Sequence, residues 1–139
     1  MTRDPEAGFV ATELVLGIGL LVVPVALVVL TLPGWSERQV TARAISRDVA
    51  RRIARDGECD VAGSRTVGAT MARNLGVPAE QVTVELSCVD GAVLAPGSDV
   101  EARVTVVMPA VDLPGVGAVG AWSWTARHRE PVDRYAAAR

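Results

Sequence analysis

The chain has no lysine, one histidine and only two cysteines. A histidine-based metal site or a Ser-His-Asp triad would have to rest on His128 alone, and no pattern of further ligands or acids surrounds it. A histidine in a strand beside Arg127 and Arg129 is typical of a surface residue. The sequence therefore predicts neither an enzyme nor a metal site, and it contains no motif that would hold a cofactor.

Charge is missing from one long stretch of the 139-residue chain, which has room for one domain of the usual roughly 100 to 200 residues. Leu14 to Leu32 contains no charged residue, whereas Trp35 to Arg139 has the composition of a soluble sequence. About 20 apolar residues cross the roughly 30 Å core of a bilayer, while the apolar part of a secretory signal has only about 7 to 15. This stretch is therefore predicted to be a membrane-spanning helix.

Three positions in or next to this predicted helix indicate where it kinks and where the chain leaves the membrane. Pro24 lies inside it and predicts a local kink. Leu32-Pro33-Gly34 predicts either a break or a sharp bend in the helix, and Trp35 then falls at the depth where amphipathic rings meet the membrane surface. The chain is thus expected to leave the membrane near residue 35.

A second, amphipathic helix is predicted directly afterwards. Ser36 to Gln39 has the pattern of a capping box, and Trp35 and Val40 are placed to form a hydrophobic staple. Apolar residues then recur at three- and four-residue spacing as far as Gly57, a C-terminal glycine. One face of this helix should therefore pack against the rest of the domain through Val40, Ala42, Ile45, Val49 and Ile53.

The apolar period changes in the second half of the chain. A short helix is predicted over Ser64 to Leu75, and alternation with a period of two follows in residues 82–88, 100–108 and 122–126. Turn signals flank a short fourth strand, Ala92 to Ala95, and Asp112 to Gly120 has the composition of a glycine-rich loop. The predicted fold class is α+β, with a long transmembrane and amphipathic N-terminal helix packed on a small antiparallel sheet.

Cys59 and Cys88 are the only cysteines, and both fall in the predicted soluble part. A bridge closing about 30 residues contributes roughly 3.5 kcal/mol in the loop-entropy model, and such bridges persist outside the cytoplasm. Two buried free thiols are the alternative. We predict the bridge, and with it an extracytoplasmic domain.

Arginine dominates the predicted amphipathic helix. Residues 36–56 carry six arginines and three acids, whereas residues 57–139 carry seven arginines and ten acids. A row at four-residue spacing, Arg43, Arg47, Arg51 and Arg55, could contact the phosphates of nucleic acid or of anionic lipid. Such a row is more commonly a solvated face, which an i,i+4 pair of Asp48 with Arg52 would support. Nucleic acid is therefore a disfavoured partner.

Trp122 and Trp124 lie on one face of the last predicted strand. The pair could stack on a ligand, but the favoured interpretation is that it caps the core against the amphipathic helix.

The segment Gly8-Phe9-Val10-Ala11-Thr12-Glu13 at the head of the spanning helix resembles the processing site of type IV pilins and pseudopilins. The resemblance implies that a prepilin peptidase cleaves after Gly8 and methylates the new amine of Phe9. It implies that Glu13 is the buried carboxylate which meets a neighbouring subunit's amine during assembly. A carboxylate in an apolar segment is costly and is normally kept only where a partner compensates it. The alternative is that Glu13 lies among the lipid headgroups, where it costs little.

Further features narrow the resemblance. The anchor with Glu13, the arginine-rich helix, the tail containing Val-Asp-Leu-Pro and the ending Glu130 to Tyr135 are similar to TadE-type minor pseudopilins of tight-adherence (Tad) pilus systems. The resemblance implies a structural subunit that initiates, caps or regulates a Tad-like pilus or secretion filament and so supports adhesion. It implies as partners the prepilin peptidase, other pilin subunits, the pilus assembly platform and membrane lipid.

On this interpretation the chain has four parts: residues 1–8 are a prepilin leader, 9–33 a transmembrane helix, 34–57 an amphipathic helix and 58–139 a small α+β domain. The protein would be a single-pass protein of the cell membrane with its C-terminal domain outside. The charge count opposes this topology, because the leader offers only Arg3 while many arginines follow the anchor. Two rival hypotheses remain: an uncleaved single-pass, membrane-anchored extracytoplasmic binding module, and an anchored cytoplasmic domain that contacts nucleic acid.

Overall fold

The computed structural model of the protein describes residues 6–113, 117–119 and 122–134. Within these ranges side chains are described from Thr12 onward, apart from residues 28, 111–113 and 117–119. The chain divides into two compact units, Met1–Pro33 and Gly34–Arg139. The first unit contains the apolar N-terminal part of one long helix, and the second contains the rest of that helix, the shorter helices and the sheets.

A single helix, α1 (Glu6–Asp56), includes both segments that the sequence predicts as separate helices. The predicted break at Leu32-Pro33-Gly34 is therefore wrong, whereas the alternative of a sharp bend stays a prediction, and Ser36 lies inside α1 rather than capping a new helix. Pro33 removes one backbone donor, but distant contacts hold the residues that follow it. Trp35 Nε1 donates to the Pro109 carbonyl oxygen at 3.2 Å, and a Cβ built on Gly34 would lie 3.5 Å from Pro109 Cγ. These tertiary contacts override the local signal for a break.

Within the second unit, one face of α1 is buried. Ala42, Ile45, Val49 and Ala50 contribute to its main core, and Ile53 to a smaller neighbouring one. Val40, which the sequence places on this face, is instead 62% exposed, so the predicted staple with Trp35 is wrong. The helix ends as predicted before Gly57, whose φ of +73° is a backbone conformation that glycine adopts without strain.

Helix α2 (Val61–Asn74) begins three residues before its predicted start at Ser64. Asp60 is the N-cap: its carboxylate accepts a hydrogen bond from the Gly63 amide at 2.7 Å, and the Ser64 hydroxyl donates to the Asp60 carbonyl oxygen at the same distance. A 3₁₀ turn over Ala79–Gln81 then leads into the sheet.

Three antiparallel strands form the sheet: β1 (Val82–Leu86), β2 (Asp99–Val107) and β5 (Ser123–Pro131), in the order β1-β2-β5. The alternation in the sequence thus locates all three. Val84, Val104, Val106 and Ala126 point into the main core, where Met108 joins them, as the period of two requires. The α+β class, with a long N-terminal helix and a small antiparallel sheet, is therefore present.

Two further predictions are corrected. Ala92 to Ala95 adds no strand to the sheet; instead Val93 forms an isolated bridge with Glu58, because Ala92 and Leu94 hydrogen-bond to the segment that follows α1. The predicted glycine-rich loop contains a short hairpin, in which β3 (Val111–Leu113) pairs with β4 (Gly117–Val119). Glycine content therefore did not prevent strand pairing there.

Small residues bring α2 close to β1. Ser64, Gly68 and Ala72 form the buried face of α2, and a Cβ on Gly68 would lie 2.5 Å from Val84 Cγ2. We expect Gly68→Ala to lower the free energy of unfolding by about 1 to 2 kcal/mol, because overpacking outweighs the gain of roughly 1 kcal/mol in helix propensity. Thermal unfolding followed by near-ultraviolet circular dichroism would measure the change.

Val84→Ala supplies the control for this prediction. It removes the Cγ2 atom that the new methyl group would strike, so Gly68→Ala should become neutral or slightly stabilising in that background. An equal loss of stability in both backgrounds would show that this contact is not the cause.

Candidate functional site

The N-terminal part of α1 exposes aliphatic side chains on every side. Twelve large ones are at least 49% exposed: Leu14, Val15, Leu16, Ile18, Leu20, Leu21, Val22, Val23, Val25, Val29, Leu30 and Leu32. A helix that is apolar all round is covered by lipid or by other protein. By length and composition α1 can cross a membrane, and it is the one such helix among the described residues.

Glu13 is the single acid in this exposed apolar region. It borders an open groove of about 490 Å³ on the surface of α1, together with Leu14, Gly17, Ile18, Leu21 and Val22. Gly17 lies one helical turn after Glu13, and apart from its own stretch of helix no atom lies within 4 Å of the position its Cβ would take. The surface of α1 beside the carboxylate is therefore open. An ionised carboxylate only accepts hydrogen bonds, so its natural partner is an amine or another cation.

The predicted cleavage site lies at the start of the same helix. The backbone of Gly8 and Phe9 belongs to α1, while their side chains and residues 1–5 of the predicted leader lie outside the described part.

Cys59 and Cys88 are joined, as the sequence predicts, with their Cα atoms 6.0 Å apart. Cys59 precedes α2 and is fully buried, and Cys88 follows β1. Backbone hydrogen bonds surround the bridge: the Cys59 amide donates to Ala92 at 2.9 Å, and the Gly91 amide donates to Cys59 at 2.7 Å. The bridge thus fixes the segment after α1 to the end of the first strand.

The arginine row of α1 is not a uniform solvated face. The Arg43 guanidinium lies over the Trp124 ring, 5.1 Å from its centroid, and Arg51 Nε lies 3.9 Å from Glu130 Oε1. A stacked pair of this kind is worth about 0.5 to 1 kcal/mol at an exposed site. Arg52, which the sequence pairs with Asp48, instead forms an ion pair with Asp56.

The two tryptophans of the last predicted strand have separate roles. Trp124 packs against the main core beneath Arg43, whereas Trp122 precedes β5 and meets Trp35 edge-on at 5.9 Å between ring centroids. Pairing of arginines on α1 with side chains on β5 was not predicted. The four-residue spacing of Arg43, Arg47 and Arg51 beside the alternating Trp124, Ala126, His128 and Glu130 is the signal that could have suggested it.

The described residues hold no group of three or more His, Cys, Asp or Glu side chains arranged to bind a metal ion. His128 Nε2 lies 3.0 Å from Glu130 Oε2, and that carboxylate also faces Arg51. This arrangement is an ion-pair network at the surface of the sheet.

Comparison with family models, with curated proteins and with solved structures finds no match to this chain. The proposed function is therefore inferred from the N-terminal end of α1, from the exposed apolar part of the helix that follows it and from the disulfide-bonded domain.

Proposed function

We propose that this protein is a minor pilin or pseudopilin of the TadE type, which assembles through α1 into a Tad-like pilus or secretion filament and supports adhesion. The observation that carries the proposal is Glu13, an exposed carboxylate beside an open groove on an apolar helix, five residues after Gly8. A carboxylate in the apolar part of a membrane or filament is costly and is normally kept only where a partner such as a cation compensates it.

Cleavage after Gly8 would supply this cation, because it creates an ammonium group on Phe9. In a filament the Phe9 amine of one subunit would contact Glu13 of its neighbour and fix the axial register of the two helices. Two unit charges 4 Å apart attract by about 4 kcal/mol at an effective dielectric constant of 20, against about 1 kcal/mol in water. Desolvation of both groups offsets part of this attraction.

Two features of the second unit support the proposal that this unit lies outside the cytoplasm. Its disulfide persists in an oxidising compartment and is rarely kept in the cytosol. The domain is also small, and small domains commonly depend on such bridges for stability. The disulfide is stronger evidence of topology than the arginines that follow the anchor. A disulfide needs an oxidising compartment, whereas the positive-inside rule describes only a statistical bias in where arginines lie.

Mass spectrometry of the membrane-extracted protein tests processing. We expect a mature chain that starts at Phe9 and has 131 residues, the 139 of the full chain less the eight of the leader, with a methylated N-terminus. Cells without a prepilin peptidase should yield only the full-length chain. An intact Met1 terminus in cells that contain the peptidase would contradict the proposal.

The second candidate is an uncleaved, membrane-anchored extracytoplasmic binding module. The observation that favours it is an open groove on the second unit that is lined by Arg43, Arg47, Arg127 and His128 and has no part in the assembly mechanism. The two candidates differ in cleavage, so the same spectrum separates them.

A further inference from the structure

An open groove between α1 and β5 collects basic side chains. Arg43 and Arg47 line it from the helix, Arg127 and His128 line it from the strand, and its volume is about 430 Å³. Trp124 forms part of the wall and carries the Arg43 guanidinium over its ring. We call this feature the basic groove.

The acid beside the basic groove already has partners. Glu130 contacts His128 and Arg51. Arg47, in contrast, forms no ion pair with any residue that the structure describes. The groove therefore carries positive charge that no described side chain neutralises.

We propose that the basic groove binds a phosphate group, either free or as the headgroup of an anionic lipid. Guanidinium groups recognise phosphate by paired, charge-assisted hydrogen bonds, and two or more of them balance its charge. Stacking on Trp124 holds Arg43 in place, which leaves the edge of its guanidinium available to the ligand. Arg47 lies one helical turn further along, so the two can contact one phosphate together.

The test uses the full-length protein in a maltoside detergent, whose headgroup contains no phosphate. In one arm inorganic phosphate is titrated at low ionic strength, and in the other phosphatidylglycerol is added to the micelles, with diacylglycerol as the lipid that lacks phosphate. Binding is followed by tryptophan fluorescence, since Trp124 lines the groove, and by phosphorus NMR. Saturation by inorganic phosphate identifies a free phosphate ligand, and saturation by phosphatidylglycerol alone identifies a headgroup; either result supports the proposal.

Arg47→Gln should weaken binding about tenfold, the usual cost of removing charge-assisted hydrogen bonds. Arg47→Lys, which keeps the charge but loses the paired geometry, should give an intermediate loss. Arg65→Gln is the matched control, because Arg65 is equally exposed on α2 and lies outside the groove. The proposal is overturned if neither arm shows saturable binding to the unaltered protein, or if Arg65→Gln weakens binding as much as Arg47→Gln.

Discussion

Glu13→Ala should give a protein that is processed and inserted in the membrane but no longer co-purifies with other pilus subunits. The substitution makes the apolar part of α1 more apolar, so insertion is preserved or slightly improved. What it removes is the attraction between Glu13 and a neighbouring Phe9 amine, and it leaves that amine buried without its partner. Breaking such a pair by removing one member costs about 3 to 5 kcal/mol, or more than a hundredfold in association.

The measurement is affinity purification of the variant from cells that express the whole pilus system, with the anchored protein quantified in the membrane fraction. Glu37→Ala is the matched control, since it also removes an exposed acid from α1 but lies in the second unit. Gly8→Ala should act one step earlier and leave an uncut precursor. Normal assembly with Glu13→Ala would mean that Glu13 lies among the lipid headgroups, and the uncleaved binding module would then be the better hypothesis.

The sequence predicts much of the second unit because its apolar periods are long and regular. The buried face of α1 and the three strands follow from spacings of three to four and of two residues. Gly57 was predicted because helices commonly end before a glycine, and the disulfide because the chain has only two cysteines.

Two of the wrong predictions share one physical cause, namely contacts between residues far apart in the chain. Pro33-Gly34 has the local pattern of a helix end, but Trp35 binds Pro109, 74 residues away, and α1 continues. Ala92 to Ala95 has the pattern of a strand but finds its hydrogen-bond partners after α1. Patterns within a short window contain no information about such partners.

The basic groove is another feature that patterns within a short window of sequence do not predict. The sequence favours a solvated face for the arginine row and a cap of the core against the same helix for Trp122 and Trp124, so it does not predict contact between an arginine and a tryptophan. Arg43 and Trp124 are about 80 positions apart in the sequence, and only the fold places them in contact. Periodicity identifies the faces of helices and strands, whereas the packing of α1 against the sheet decides which faces meet.

Removing the disulfide should have the largest effect on stability. We expect the double variant Cys59→Ala and Cys88→Ala to lower the free energy of unfolding by about 3.5 kcal/mol, because 29 residues separate the two cysteines and their loop is no longer closed in the unfolded chain. That is a large share of the roughly 5 to 15 kcal/mol that holds a typical domain folded. The unfolding midpoint should fall by roughly 15 to 25 °C. Tryptophan fluorescence reports on the right unit, since all three tryptophans follow Gly34.

A reductant provides the control for this prediction. It should destabilise the unaltered protein by a similar amount and leave the double variant unchanged, because the variant has no cysteine for it to act on.

The same bridge also reports the compartment. If the domain lies outside the cytoplasm, alkylation before reduction should label neither cysteine of the folded protein. Labelling of both cysteines would place the domain in the cytoplasm, where the arginines after the anchor would then satisfy the charge rule, and the proposal of an exported pilus subunit would fail with it.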